Sequence, residues 1–74
     1  MTLVLSDEVG AAQEALERSP IHSLRKLKVD RSGENLRILG RVKTFYLKQL
    51  AQEVVRHAVK NGLDLQVVNE VRVD

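Results

Sequence analysis

The sequence of 74 residues predicts an α+β domain in which two helices pack on one face of a three-stranded sheet. Apolar residues recur at helical spacing over 6–18 and 44–62, and they alternate with polar residues over 24–42 and again over 65–73. A period of 3.6 indicates a helix and a period of two indicates a strand. The predicted order is therefore α-β-β-α-β, folded as a two-layer sandwich within a single domain.

The first helix is predicted from its cap, its apolar face and its end. Ser6 is a good N-cap, because its hydroxyl can accept a hydrogen bond from an early backbone N–H. Val9, Ala12 and Leu16 then follow at spacings of three and four, which places them on one face. Pro20 ends the helix, since the residue before a proline is disfavoured in the α region.

The first two strands are predicted as a β-hairpin. Leu27 and Val29 alternate with charged residues, and a second alternating run covers Leu36–Val42. The turn-forming segment Asp30–Asn35, which contains a glycine, separates the two runs. Gly40 occupies a position that should face the core, so we expect a helix to pack closely against the strand there.

The second helix and the third strand follow the hairpin. Thr44 is the predicted N-cap, the apolar positions over 47–58 follow the helical period, and Asn61-Gly62 supplies the helix end. Alternation over 65–73, interrupted at Asn69, predicts a third strand that runs parallel to the second. The pattern favours a mixed sheet and leaves open whether this strand lies beside the first or the second.

Positive charge is concentrated in the middle of the chain. The net charge is only +2, yet residues 18–48 contain nine bases and two acids. Basic surfaces of this kind attract anionic lipids, nucleic acids or acidic proteins. The sheet face left uncovered by the helices is expected to carry Lys26, Lys28, Arg37, Leu39, Arg41, Val68, Glu70 and Arg72. The candidate residues for binding an anionic surface are Lys26, Lys28, Arg37, Leu39, Arg41 and Lys43.

The sequence resembles the BON domain family of bacterial envelope and osmotic-stress proteins over about residues 7–73. The similarity lies in the strand Leu36–Val42 with its glycine before the last valine, the helix segment Leu47–Val55 and the closing Val67–Val73. The step from Gly62 to Val67 is one residue longer than in the family. The predicted strand Leu24–Val29 and the helix before Pro20 also fall in the family's order. The resemblance implies a non-catalytic module that attaches to membranes or to other proteins, with phospholipid as the usual ligand.

Catalytic and metal chemistry have little support in the sequence. The chain has no cysteine, its glycines form no phosphate-binding motif, and no serine lies in a nucleophile elbow. Glu53 and His57 are spaced i, i+4, but two ligands make a poor metal site. We therefore expect no enzyme activity, no metal and no cofactor.

Nucleic-acid binding is the less favoured alternative. The chain has no Gly-x-x-Gly loop, and its only aromatic residues are Phe45, expected in the core, and Tyr46, expected half-exposed. No apolar run is long enough to cross a bilayer or to serve as a secretory signal.

The predicted function is a non-catalytic module that attaches to anionic phospholipid surfaces or envelope-associated partners through the basic sheet face. Electrostatic attraction would hold the module on such a surface without insertion. The alternative is a protein-interaction or self-association domain that uses the open face or a strand edge. The sequence leaves open the lipid or partner, the compartment, the oligomeric state and whether the native chain is longer.

Overall fold

The computed structural model describes residues 8–59 and 66–74 and confirms the α+β class. Within these ranges the chain forms three helices and five strands. In chain order they are α1 (Glu8–Glu17), α2 (His22–Arg25), β1 (Lys28–Ser32), β2 (Asn35–Leu39), β3 (Arg41–Val42), α3 (Phe45–Ala58), β4 (Gln66–Asn69) and β5 (Arg72–Val73). The predicted cap at Ser6, the helix end at Asn61-Gly62 and the strand position Leu65 lie outside the described residues. None of the described helices is long and apolar enough to cross a membrane.

The sheet is mixed, as predicted, and the third predicted strand lies beside the second. The strand order is β1-β2-β4, with β1 antiparallel to β2 and β4 parallel to β2. Strands β3 and β5 form a second parallel pair, and in both parallel pairs each residue faces the one 31 positions later. The Arg72 N–H donates to the Gly40 carbonyl at 2.9 Å between the two pairs. The parallel pairing therefore continues in one register from Asn35 to Val42.

The short helix α2 corrects the prediction of two helices and of a strand that begins at Leu24. The N–H of Ile21 donates to the Ser19 hydroxyl at 3.0 Å, and the N–H of Leu24 donates to the Ile21 carbonyl at 3.0 Å. Leu24 and Leu27 are both buried. Residues three apart lie on opposite faces of a strand but on the same side of a helical turn, so only the turn buries both.

The hairpin loop is also shorter than predicted. Ser32 pairs directly with Asn35, which leaves only Gly33 and Glu34 between the strands. Gly33 has a φ of 60°, a left-handed conformation that glycine adopts at little cost and that tight hairpin turns require. Asp30, predicted to begin the loop, is therefore a strand residue.

The core is aliphatic and is formed by side chains of both the helices and the strands. Helix α1 packs on α3, α1 also contacts β1, and α3 contacts β3, β4 and β5. The buried apolar residues are Ala12, Leu16, Leu24, Leu27, Val29, Leu36, Ile38, Val42, Ala51, Val55 and Val71. Partly buried residues such as Val9, Leu47 and Leu50 pack around them.

Two side-chain amides join the helices to the sheet. The Gln13 side chain donates to the Leu27 carbonyl and accepts from the Val29 N–H, both at 2.9 Å, which satisfies backbone groups at the edge of β1. The Asn69 side chain donates to the Lys48 carbonyl at 2.8 Å and accepts from the Val71 N–H at 3.1 Å. The polar residue that interrupts the last strand thus connects β4 to the first turns of α3.

Gly40 is a point of close approach, but its neighbour differs from the prediction. A Cβ atom at Gly40 would lie 2.6 Å from Cδ2 of Leu27, and the φ of Gly40 is 135°. Leu27 precedes β1 and belongs to no helix, so the expectation of a close helix was wrong. The side chain of Leu27 fills the space that a side chain at position 40 would need.

Candidate anion-binding surface

Residues that alternate with the buried ones on the strands form a second, polar side of the sheet. Successive strand side chains point to opposite faces, and Val29, Leu36 and Ile38 are buried on the core side. The opposite side, here called the polar face, carries Lys28, Asp30, Arg37, Leu39, Arg41, Val68, Glu70 and Arg72. Seven of these residues were predicted for that face. The exceptions are Asp30, which was predicted to begin the hairpin loop and lies opposite Arg37 instead, and the predicted Lys26, which is the C-cap of α2 and precedes the strand.

Arg37, at the centre of the polar face, is neutralised by two carboxylates. It lies directly opposite Asp30, to which its Nε and Nη2 donate at 2.9 and 2.7 Å. Its Nη1 lies 3.6 Å from Oε1 of Glu70. The hydrogen bonds from Arg37 lower the pKa of Asp30 below its ordinary value. Arg37, predicted to attract an anionic surface, therefore has its charge balanced within the protein.

Leu39, the predicted apolar contact, is half-buried on the same face. It faces Lys28 across the hairpin, and the parallel register places it beside the position of Glu70. Val68, opposite Arg37, is half-buried as well. Neither side chain presents a large apolar surface to a partner.

Arg41 and Arg72 lie side by side at the end of the polar face. They are paired in the parallel register of β3 and β5, and both are exposed. Among the residues that the structure describes, neither has a carboxylate within ion-pair distance. Like charges on directly paired residues destabilise a sheet, so this arrangement favours a bound anion.

Further lysines extend this positive region. Lys28 pairs with Leu39, which precedes Arg41 by two residues, and Lys43 follows β3. Both lysines are exposed and have no ion-pair partner in the described ranges. Lys26 is also exposed and has no ion-pair partner among the described residues. We call Lys28, Arg41, Lys43 and Arg72 the basic end. Arg72 is absent from the candidate residues chosen from the sequence, because only the parallel register places it beside Arg41.

An open groove of about 560 Å³ adjoins the basic end. Its lining combines cations, two acids and two valines: Arg41, Lys48, Glu70, Val71, Arg72, Val73 and Asp74. Lys48, the fourth residue of α3, also lines the groove, and the Asn69 side chain donates to its backbone carbonyl. The groove thus carries three cations and two acids, of which Glu70 pairs with Arg37 and Asp74 has no ion-pair partner in the described ranges.

The two aromatic residues are more exposed than predicted. Phe45 is 62% exposed and Tyr46 is 69% exposed, so the expectation of a core Phe45 was wrong. Thr44 caps α3 as predicted, since its hydroxyl accepts from the Leu47 N–H at 3.1 Å. This cap makes Phe45 and Tyr46 the first two helical residues, about 120° and 140° around the helix from the buried Ala51. Helix geometry therefore directs both rings away from the core.

Glu53 and His57 line a separate shallow groove with Ala15, Val54 and Ala58. Within the described ranges, no group of three or more side chains of the metal-binding types comes together.

No family model, curated protein or solved structure matches this chain. The resemblance to the BON domain family stays a prediction.

Proposed function

We propose that this chain is a non-catalytic binding module that attaches to anionic phospholipid surfaces through its basic end. The observation that carries the proposal is the pairing of Arg41 with Arg72, two exposed cations with no carboxylate partner among the described residues. A phosphate-bearing surface would relieve the repulsion between them. The resemblance to the BON family favours the same class of function.

The proposal includes a two-layer arrangement in which α1 and α3 cover only the core side of the sheet. The burial of Val29, Leu36 and Ile38 beneath these helices supports it. The polar face then remains accessible to a flat partner such as a bilayer. Arg37 contributes little to the attraction, because Asp30 and Glu70 already neutralise it.

The strength of the attachment follows from the number of free cations. Each base near an anionic membrane surface contributes about 1 kcal/mol, so the four residues of the basic end supply about 4 kcal/mol. That corresponds to a dissociation constant of about 1 mM. Binding of this strength is reversible and decreases with salt, because the screening length shortens to about 3 Å at 1 M.

The experiment compares two variants of equal net charge. Arg41→Glu with Arg72→Glu reverses two charges of the basic end. The control, Arg18→Glu with Arg56→Glu, reverses two exposed arginines away from it: Arg18, which follows α1 and pairs with Glu14, and Arg56 on α3. Binding is measured by co-sedimentation with vesicles of phosphatidylglycerol and phosphatidylcholine, and with phosphatidylcholine alone. We expect the first variant to bind the anionic vesicles at least roughly 30-fold more weakly than the second.

Equal weakening by the two variants would show that net charge, and not the basic end, determines the binding. No binding of the unmodified chain to anionic vesicles at low salt would overturn the proposal and direct attention to a protein partner.

A further inference from the structure

We infer that the membrane contact also inserts an apolar tip, made of Phe45, Tyr46 and Val73, between the headgroups of an anionic bilayer. The inference rests on the proposed function and specifies how the same end of the molecule meets the lipid. It replaces Leu39, the apolar contact predicted from the sequence, with residues on the adjoining helix and strand.

The exposed large apolar side chains of the described ranges all occur at this end. They are Phe45, Tyr46 and Val73, of which Val73 is 42% exposed. Val73 pairs with Val42, which precedes Phe45 by only three residues. Single exposed apolar residues are common, but their restriction to one end of a small domain points to a contact surface.

Cations lie near these side chains in the sequence. Lys43 is two residues before Phe45, and Lys48 is three residues after it, which places Lys48 on the same side of α3. Val73 has Arg72 before it and the acid Asp74 after it, both directed to the opposite face of the strand. Lys48 and Val73 line one groove with Arg41. Aromatic rings at the level of the headgroups with bases around them are typical of surfaces that bind the membrane interface.

The observations favour a lipid surface over a single-stranded nucleic acid. Proteins that bind single strands stack bases on aromatic rings along a positively charged groove. Here the groove is lined by Glu70 and Asp74 as well as bases, and neither Phe45 nor Tyr46 lines it. The rings project from the start of a helix, a position from which they can enter a bilayer interface.

Tyr46 provides a built-in probe, because the chain has one tyrosine and no tryptophan. Its fluorescence is recorded with phosphatidylglycerol vesicles that contain phosphatidylcholine brominated on the acyl chains. We expect quenching by the brominated lipid, which reports contact of Tyr46 with the acyl region. We also expect Phe45→Ser to weaken partitioning roughly tenfold, and Phe45→Leu to retain most of it.

The outcomes separate this inference from the proposed function. Salt-sensitive binding to anionic vesicles without quenching, and with equal affinity for Phe45→Ser and Phe45→Leu, would overturn the apolar tip while the electrostatic attachment stands. Absence of any binding to anionic vesicles would overturn both. Quenching of Tyr46 by a single-stranded oligothymidine, with none by brominated vesicles, would overturn the lipid assignment in favour of nucleic acid.

Discussion

Arg37 and Arg41 lie four residues apart on the same face of the consecutive strands β2 and β3, yet their surroundings differ. Arg37 has Asp30 on one side and Glu70 on the other, at 2.7 and 3.6 Å. Arg41 has another arginine, Arg72, as its paired neighbour and no described carboxylate within ion-pair distance. A cation that pairs with carboxylates of its own chain can stabilise the fold. A cation that lies beside another cation remains available to an anionic partner. The comparison therefore attributes a stabilising role to Arg37 and supports the binding role proposed for Arg41.

Gly40 lies between these two regions, and its replacement has the largest expected effect. A valine there would place Cβ 2.6 Å from the Leu27 side chain on a backbone with φ of 135°. We expect Gly40→Val to lower the free energy of unfolding by about 2–4 kcal/mol, from strain and overpacking together. Chemical denaturation measures the loss.

Gly33→Ala is the control for this prediction. Gly33 also has a positive φ, 60°, but nothing lies within 4 Å of a Cβ built there. We expect this substitution to cost about 1–2 kcal/mol, from the left-handed conformation alone. Equal losses at the two glycines would mean that Leu27 does not limit the space at Gly40.

Reversing the charge of Arg37 or of Arg41 is expected to have different effects on stability. Arg37→Glu would place three carboxylates together at the centre of the polar face, so we expect its melting temperature to fall by several degrees. Arg41→Glu removes a repulsion with Arg72 and is expected to leave stability within about 0.5 kcal/mol of the unmodified chain. Thermal unfolding by circular dichroism compares the two variants.

A charge-swapped pair tests whether the fall in melting temperature of Arg37→Glu comes from the lost ion pair with Asp30. Asp30→Arg combined with Arg37→Glu is expected to recover part of the melting temperature lost by Arg37→Glu alone, since opposite charges again face each other across β1 and β2. A drop for Arg41→Glu as large as that for Arg37→Glu would break the distinction between the two regions.

The fold class, the hairpin and the parallel third strand could be predicted because hydrophobic periodicity reports which face of an element is buried. The Thr44 cap followed from local chemistry in the same way. Helix α2 could not, because four residues are too short to show a period. The exposure of Phe45 could have been predicted, because the cap at Thr44 makes Phe45 helical and its spacing of six residues then places it about 120° around the helix from Ala51.

The balance of charges on the polar face depended on register. The two-residue loop at Gly33 and Glu34 places Asp30 opposite Arg37. A prediction that assumed this shorter loop would therefore have included the ion pair between them. The partners of Glu70 and Arg72 depend on the register of the parallel strands. The sequence does not determine that register, because the length of the connection before β4 is compatible with more than one. Net charge along the chain therefore identified a basic region without showing which of its cations are paired.

The smallest expected effect is the pH dependence that the Asp30–Arg37 pair gives to stability. Hydrogen bonds from Arg37 lower the folded-state pKa of Asp30 below its ordinary 3.8. Stability from this pair is therefore fully present above that value and is lost as the pH falls through the lower folded pKa. We expect the unmodified chain to lose stability more steeply below about pH 4 than Asp30→Asn, measured by urea unfolding at a series of pH values.

Arg37→Gln is expected to flatten the pH profile of stability similarly, because it removes the group that lowers the pKa of Asp30. Parallel profiles for all three chains would mean that Asp30 does not hold Arg37, which would leave Glu70 as its ion-pair partner on the polar face. If both variants flatten the profile and still bind anionic vesicles as the unmodified chain does, the centre of the polar face serves stability and the basic end alone serves binding.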